Sequence, residues 1–309
     1  MTSLILFKRY EKIFNIFIYL YTKTDYYMSY TQNQLRDFSS LFSRNEIYRW
    51  LKDDFRSIDL KLNRYNILEK NRGNSYLNVL KMTYKLLEEY YPNEYILKNE
   101  FLNHSLIKEL RNSNSVIFNE FRIGKAIADL AIFNGISKVF EIKTILDKEY
   151  RLSNQLYEYK KLFNEIYIII PKVQLSKYIS YDKSIGVITY DSTSKIFYLA
   201  QEAERNNIID SKAIMEVLHT REYLKIARSY FQELPEMNAF TQFEICKSLI
   251  SKIPQQYLNK LFLETMKERN KNNLFFNKLN NEFNQVCLSL NLKQSERDNL
   301  ILKLKINKV

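Results

Sequence analysis

Histidine, cysteine, glycine and proline are all scarce in this 309-residue chain, and the shortages narrow its chemistry. There are two histidines, His104 and His219, and two cysteines, Cys246 and Cys287. Zinc sites built on His/Cys clusters are thereby nearly excluded, and hydrolases with an imidazole general base are disfavoured. The cysteines lie far apart with no metal-ligand spacing, so reduced thiols and a cytoplasmic location are expected. A metal here would rest on oxygen ligands, which selects Mg²⁺ or Mn²⁺. Long apolar runs are missing too. Leu4–Phe7 and Ile16–Tyr21 are apolar, but Lys8, Arg9, Glu11 and Lys12 interrupt them. That stretch is too short and too charged to span a bilayer, and no small-residue cleavage site follows. Residues 1–27 read either as an extended start ahead of Met28 or as an N-terminal helix, and no membrane association is expected.

What the chain does have is apolar residues, at 46%, which argues against general disorder. Its formal net charge is +12. A coding sequence rich in A and T would itself supply Lys, Asn, Ile and Tyr while starving Gly and Pro, so the charge needs discounting. The surplus is about +4 in each third of the chain, with no basic arm or tail. A diffuse positive charge suits a polyanionic partner such as nucleic acid, but is weak evidence alone. Homo-oligomerisation is compatible with the sequence but not specified by it.

Hydrophobic periodicity divides the chain in three. Residues 1–90 are expected to be helical from about 31, with Leu35, Phe38, Leu41, Phe42, then Ile47, Trp50, Leu51 and Phe55 at helical spacing. Asn71–Asn74 breaks the pattern before a helix over about 75–90, and Pro92-Asn93 marks a boundary. Residues 91–205 are expected to form a mixed α/β core. A helix over about 94–110 precedes three strands, at Val116–Phe118 with Phe121, at Ile127–Phe133 and at Val139–Ile142. A helix over about 147–163, a buried strand at Ile166–Ile170, and strands at Gly186–Tyr190 and Ile196–Leu199 follow, giving a sheet with helices covering it. Residues 206–309 are expected to be a helical C-terminal domain, with helices near 211–231, 239–252, 255–269, 274–289 and 295–305. The Asn-Lys-Asn-Asn run at 270–273 reads as a polar connector.

The segment Ile127–Lys143 carries the chemistry. It reads as two apolar strands joined at Asn134-Gly135, interrupted by Asp129, Glu141 and Lys143. Charges in such strands are costly to bury unless compensated, and a divalent metal shared by two carboxylates would compensate them. Glu141 and Lys143 are two apart and so share a strand face. Asp129 and Glu141 would supply metal ligands, with the Ile142 carbonyl as a further one, and Lys143 would orient an attacking water or stabilise developing charge. As a bare pattern this is weak. A salt-bridged Glu–Lys edge strand beside an unrelated Asp is the alternative.

The run Asn119-Glu120-Phe121-Arg122-Ile123-Gly124-Lys125-Ala126-Ile127-Ala128-Asp129, leading to Phe140-Glu141-Ile142-Lys143, resembles the PD-(D/E)xK nuclease superfamily. More narrowly it resembles the bacterial sce7726 family, with Arg151-Leu152, Gln155, Tyr159, Phe163 and Tyr167–Ile170 similar to that family's helix and fourth strand. Leu35–Arg44 and Leu218–Leu224 also look like parts of it. Ala128 stands where the superfamily name has Pro, a position that carries no chemistry. The resemblance implies a restriction-endonuclease-like core, metal ligation by Asp129 and Glu141, catalysis with Lys143, and a site-facing Gln155. Glu100 matches the place of an accessory carboxylate, and Glu120 is an alternative acid; each also reads as an ordinary surface charge. Tyr159 reads more simply as packed core. Tyr26-Tyr27, or Tyr90-Tyr91 with Tyr95, could line a groove. The expected activity is Mg²⁺-dependent phosphodiester hydrolysis in DNA. The alternatives are a non-catalytic nucleic-acid-binding or regulatory protein keeping the fold, and a helical interaction protein in which the core is only a scaffold.

Overall fold

The change of hydrophobic period near residue 115 coincides with the first strand of a six-stranded sheet. In this computed structural model, which describes residues 30–107, 115–145, 147, 149–269 and 279–309, β1 (Val116–Ile123), β2 (Ala126–Phe133), β3 (Ser137–Ile142), β4 (Glu165–Pro171), β5 (Gly186–Asp191) and β6 (Ile196–Gln201) lie side by side in chain order. β1, β2 and β3 form an antiparallel meander; β3–β4 and β4–β5 are parallel, and β6 returns antiparallel. The fold is mixed α/β with helices on both faces of the sheet. The expectations for residues 1–27, including Tyr26-Tyr27, and for the connector at 270–273 lie outside the described residues.

The helices start where their caps allow. α1 (Gln32–Ser40), α2 (Arg44–Leu51) and α4 (Tyr76–Tyr90) begin after Thr31, Ser43 and Ser75, whose hydroxyls accept from backbone N–H groups of the first turn; α3 (Arg56–Asn63) lies between. α5 (Glu94–Phe101) begins after Asn93, whose side chain accepts from Ile96 N, and continues as a π-helical turn at Leu102–Leu106. α6 (Leu152–Lys160) is shorter than its expected span and follows a 3₁₀ turn at Glu149–Arg151. The helix expected over 211–231 is two, α7 (Ser211–Val217) and α8 (Thr220–Phe231), because His219 and Glu222 form a capping box that restarts the chain. α9 (Gln242–Ile250), α10 (Gln255–Arg269), α11 (Asn284–Ser289) and α12 (Gln294–Ile306) follow, and single helical turns lie at Ile67–Lys70 and Leu175–Tyr178.

Three apolar clusters result. On one sheet face, α6–α10 pack on the strands around Phe133, Phe163 and Phe262. On the other, Leu97 and Phe101 of α5 meet Leu130, Phe140 and Ile169. The third is purely helical and joins α1–α4 to α11 and α12 around Trp50, Leu80, Leu300 and Leu304. The helices of 206–309 therefore do not share one core: α7–α10 belong to the sheet, α12 to the N-terminal helices, and α11 to both, with Val286 and Cys287 among the helices and Leu288 on the sheet. Periodicity shows that a helix has an apolar face but not which partner that face meets.

Gly186 stands opposite Tyr167 in the β4–β5 ladder. A Cβ there would fall 2.2 Å from the Tyr167 ring. That ring is stacked on Phe140 at 5.5 Å and has little room to retreat. Gly186→Ala is expected to cost about 1–3 kcal/mol by overpacking. Thermal unfolding checks this; an unchanged melting temperature would show that the ring adapts.

Candidate active site

The geometry of the site begins with the end of a ladder. β2 and β3 pair from Phe133↔Ser137 to Leu130↔Phe140, a register set by the Asn134–Ile136 turn with Gly135 at φ 117°. Beyond that rung the backbones part. The Asp129 side chain takes the next place, its Oδ2 accepting from Ile142 N at 2.7 Å. On the other side, β1 pairs Asn119 with Leu130 and Phe121 with Ala128, leaving Glu120 and Asp129 outside the ladder. Glu120 has φ 55°, a left-handed conformation costly for a non-glycine residue. The irregularity also breaks the facial alternation of β2, since Ala128 and Ala131 both join the same cluster. Bulge-like faults of this kind re-aim side chains next to functional sites.

Helices from both faces of the sheet reach this point. From α5, Lys98 places Nζ 2.8 Å from Asp129 Oδ1 and 3.0 Å from Glu94 Oε1. Its side chain is only 3% exposed. Burial alone would lower the Lys98 ammonium, but the Asp129 and Glu94 carboxylates outweigh it and hold it above its usual range. From α6, Gln155 Nε2 donates to Glu141 Oε1 at 2.6 Å and Gln155 Oε1 accepts from Lys143 Nζ at 2.9 Å. Lys143 Nζ also donates to Glu141 Oε1 at 2.8 Å, and the Tyr159 hydroxyl to Glu141 Oε2 at 2.6 Å. Burial pushes Glu141 up to about 7, and the nearby Asp129 carboxylate adds to the rise against the pull of Lys143 and Tyr159. Burial, followed by the Glu141 carboxylate, raises the Tyr159 phenol, which keeps it a donor.

Asp129, Glu141, Lys143 and Gln155 are thus brought together. Tyr159 is both packed core and a hydrogen-bond donor to the site. Ile142 turns its N–H toward Asp129; since a strand residue's N–H and C=O leave on the same edge, its carbonyl lies on that side too. Glu120 pairs with Arg44 at 2.6 Å at the surface. Glu100 is not brought to this group. It accepts from Tyr84 at 2.7 Å, and His104 Nε2 lies 3.1 Å from its other oxygen. Two residues past Lys98 on a helix is roughly 200° of rotation, which turns Glu100 away from Asp129. Glu94 and Lys98 take the place expected of it, and their i, i+4 spacing was the available signal. Tyr95 lines a pocket together with Phe42, on which it stacks at 5.2 Å, and donates to Glu282 O at 2.6 Å; Tyr90 and Tyr91 do not line that pocket.

Glu94 and Lys98 open onto a pocket of about 380 Å³, whose other walls include Ser43, Arg44, Glu120 and Gln285. Asp129 and Glu141 themselves offer oxygen ligands, which suit a hard divalent cation. Among the described residues no three His, Cys, Asp or Glu side chains converge as a ready metal cage. Ammonium groups of Lys98 and Lys143 stand beside the carboxylates instead. The residues therefore fit Mg²⁺ or Mn²⁺ in kind, with Lys98 having to yield.

This is a mixed α/β protein with a carboxylate–lysine site inside its sheet, where the neighbouring strands β2 and β3 part. The chain belongs to the family described as bacteriophage P4 protein cII, whose profile matches residues 88–290 and so spans the whole site. No curated protein matches it. A solved structure, the SPO1766 protein of unknown function from Silicibacter pomeroyi, is similar at 10% identity and TM-score 0.31, over 46% of this chain and 94% of that one. Among the described residues no helix is long and apolar enough to cross a membrane.

Proposed function

We propose that the chain is a metal-dependent nuclease that hydrolyses phosphodiester bonds, DNA first, on a restriction-endonuclease-like core resembling PD-(D/E)xK and sce7726 proteins. The observation that carries this reading is the meeting of Asp129, Glu141, Lys143 and Gln155 where β2 and β3 part. The order helix, three antiparallel strands, helix and parallel strand supports it. So does the net charge of +12, which suits a polyanion.

Asp129, Glu141 and the Ile142 carbonyl would hold Mg²⁺ or Mn²⁺. Such an ion, when bound, lowers the pKa of a water and offsets charge on the transition state. Gln155 fixes both Glu141 and Lys143 by one hydrogen bond to each, so the Lys143 ammonium is held against the carboxylate it serves. That ammonium can orient a water and stabilise charge developing on a phosphoryl oxygen. Tyr159 secures the other Glu141 oxygen and prevents the carboxylate from rotating.

A second reading, a non-catalytic nucleic-acid-binding protein, is favoured by the absence of a ready metal cage among the described residues. Thermal unfolding with and without Mg²⁺ or Mn²⁺ separates the two. A catalytic site is expected to give a saturable rise in melting temperature that Asp129→Asn removes. No metal-dependent rise in the native protein would favour the second reading.

A further inference from the structure

Lys98 is a second ammonium in the site, and the mechanism just described gives it no task. It is almost completely buried, and it touches two carboxylates. A buried lysine is a compact charge that must be paired, and Lys98 is paired twice. Asp129 Oδ2 is already committed to β3 through the Ile142 N–H. That leaves Oδ1, the oxygen Lys98 holds, as the one a hard cation would take. Glu94, the third carboxylate of the neighbourhood, is held by the same ammonium.

We propose that Lys98 is a positioning residue that acts as the resident counter-cation of Asp129 and Glu94, and that it competes with a divalent metal ion for Asp129. This rests on the metal-dependent reading above. Without metal, Lys98 keeps two like charges together and Asp129 in place across the strand gap. Metal binding and the Lys98 ion pairs then exclude one another, so each weakens the other by the same factor. The released ammonium has somewhere to go. Lys98 lines the 380 Å³ pocket, where Ser43, Glu120 and Gln285 offer polar partners. Metal uptake in this protein is therefore an exchange of cations and not the filling of an empty cage.

The test is titration with Mn²⁺ alone, reading free ion by electron paramagnetic resonance, on the full chain and on Lys98→Met, with Asp129→Asn as the site control. Lys98→Met is expected to bind Mn²⁺ at least about tenfold more tightly than the native protein. Its melting temperature without metal is expected to fall and to recover on adding Mn²⁺, by a larger rise than the native protein shows. A lysine with a merely structural role would lower the melting temperature and leave the affinity unchanged. Equal or weaker binding by Lys98→Met, with the native protein binding normally, would overturn the proposal and leave the metal site standing. Binding by neither, with Lys98→Met folded, would overturn both. Should Lys98→Met fail to fold, amine-selective labelling of the native protein decides: Lys98 is expected to be protected without metal and modified at saturating Mg²⁺. Equal labelling in the two states would refute the exchange.

Discussion

Asp129→Asn and Glu141→Gln are each expected to reduce cleavage by about a thousandfold, because each removes a charged oxygen ligand of the metal that would stabilise the transition state. Both changes keep the shape of the side chain and remove a charge. Asparagine at 129 can still accept from Ile142 N through its carbonyl oxygen, so the strand gap remains bridged. Glutamine at 141 can keep an oxygen toward Lys143 and Gln155 and donate its amide to the Tyr159 oxygen, whose hydroxyl then turns to the Ile127 carbonyl. The folded state should survive in both, and circular dichroism with thermal unfolding checks that it does. Lys143→Met is expected to act as severely, while Gln155→Ala, which touches the site only through Glu141 and Lys143, should lose about ten- to a hundredfold. A graded series of this kind distinguishes a site from a structural ion pair. If the three charged positions could be replaced without loss of cleavage, the assigned centre would be wrong.

The second large effect concerns the fold. Truncation after Leu290 is expected to unfold the N-terminal helices, although it leaves every strand and every site residue in the chain. α12 supplies Leu300 and Leu304 to the cluster around Trp50, all three fully buried. Its end is tied down by backbone hydrogen bonds, Gly73 N to Val309 O at 3.1 Å and Val309 N to Asn74 O at 2.9 Å. Lys303 Nζ caps the Leu51 carbonyl at 2.8 Å. Removing two buried leucines alone costs about 2–5 kcal/mol each, and the exposed Trp50 face adds to this. A loss of that size matches the whole stability of a typical domain. The expected result is an insoluble protein, or one that unfolds in two steps with the first far below the native transition. A single transition near the native temperature would show that α12 is dispensable.

The site was legible where local chemistry specified it. Asp129, Glu141 and Lys143 stood out because charges interrupt apolar strands, and the Asn134-Gly135 turn placed them opposite one another. Gln155 came from the resemblance, and the structure sets it between Glu141 and Lys143. Glu100 lies with Tyr84 and His104 and not in the site, because a sequence shows that a helix exists but not how it is rotated against a sheet. Glu94 and Lys98 lie on the same helix, turned toward Asp129. The fault that leaves Glu120 and Asp129 outside the ladder is not legible either, because nothing in the residues marks where two paired strands part. Tyr159 packs in the core as its helical spacing implies, whereas the partner of its hydroxyl depends on where Glu141 ends up. The C-terminal helices were recognised by their periodicity, yet which core each joins depends on contacts far apart in the chain, such as Leu300 with the Trp50 cluster.

The central claim, metal-dependent hydrolysis at Asp129 and Glu141, is tested most directly by incubating the native protein and Glu141→Gln with plasmid, linear and single-stranded DNA and with RNA. Each substrate is given Mg²⁺, Mn²⁺ or EDTA. The account predicts cleavage of DNA that requires Mg²⁺ or Mn²⁺, stops in EDTA and is absent from the variant. Cleavage that persists in EDTA or in Glu141→Gln would contradict it, as would binding of nucleic acid with no cleavage of any substrate under any metal.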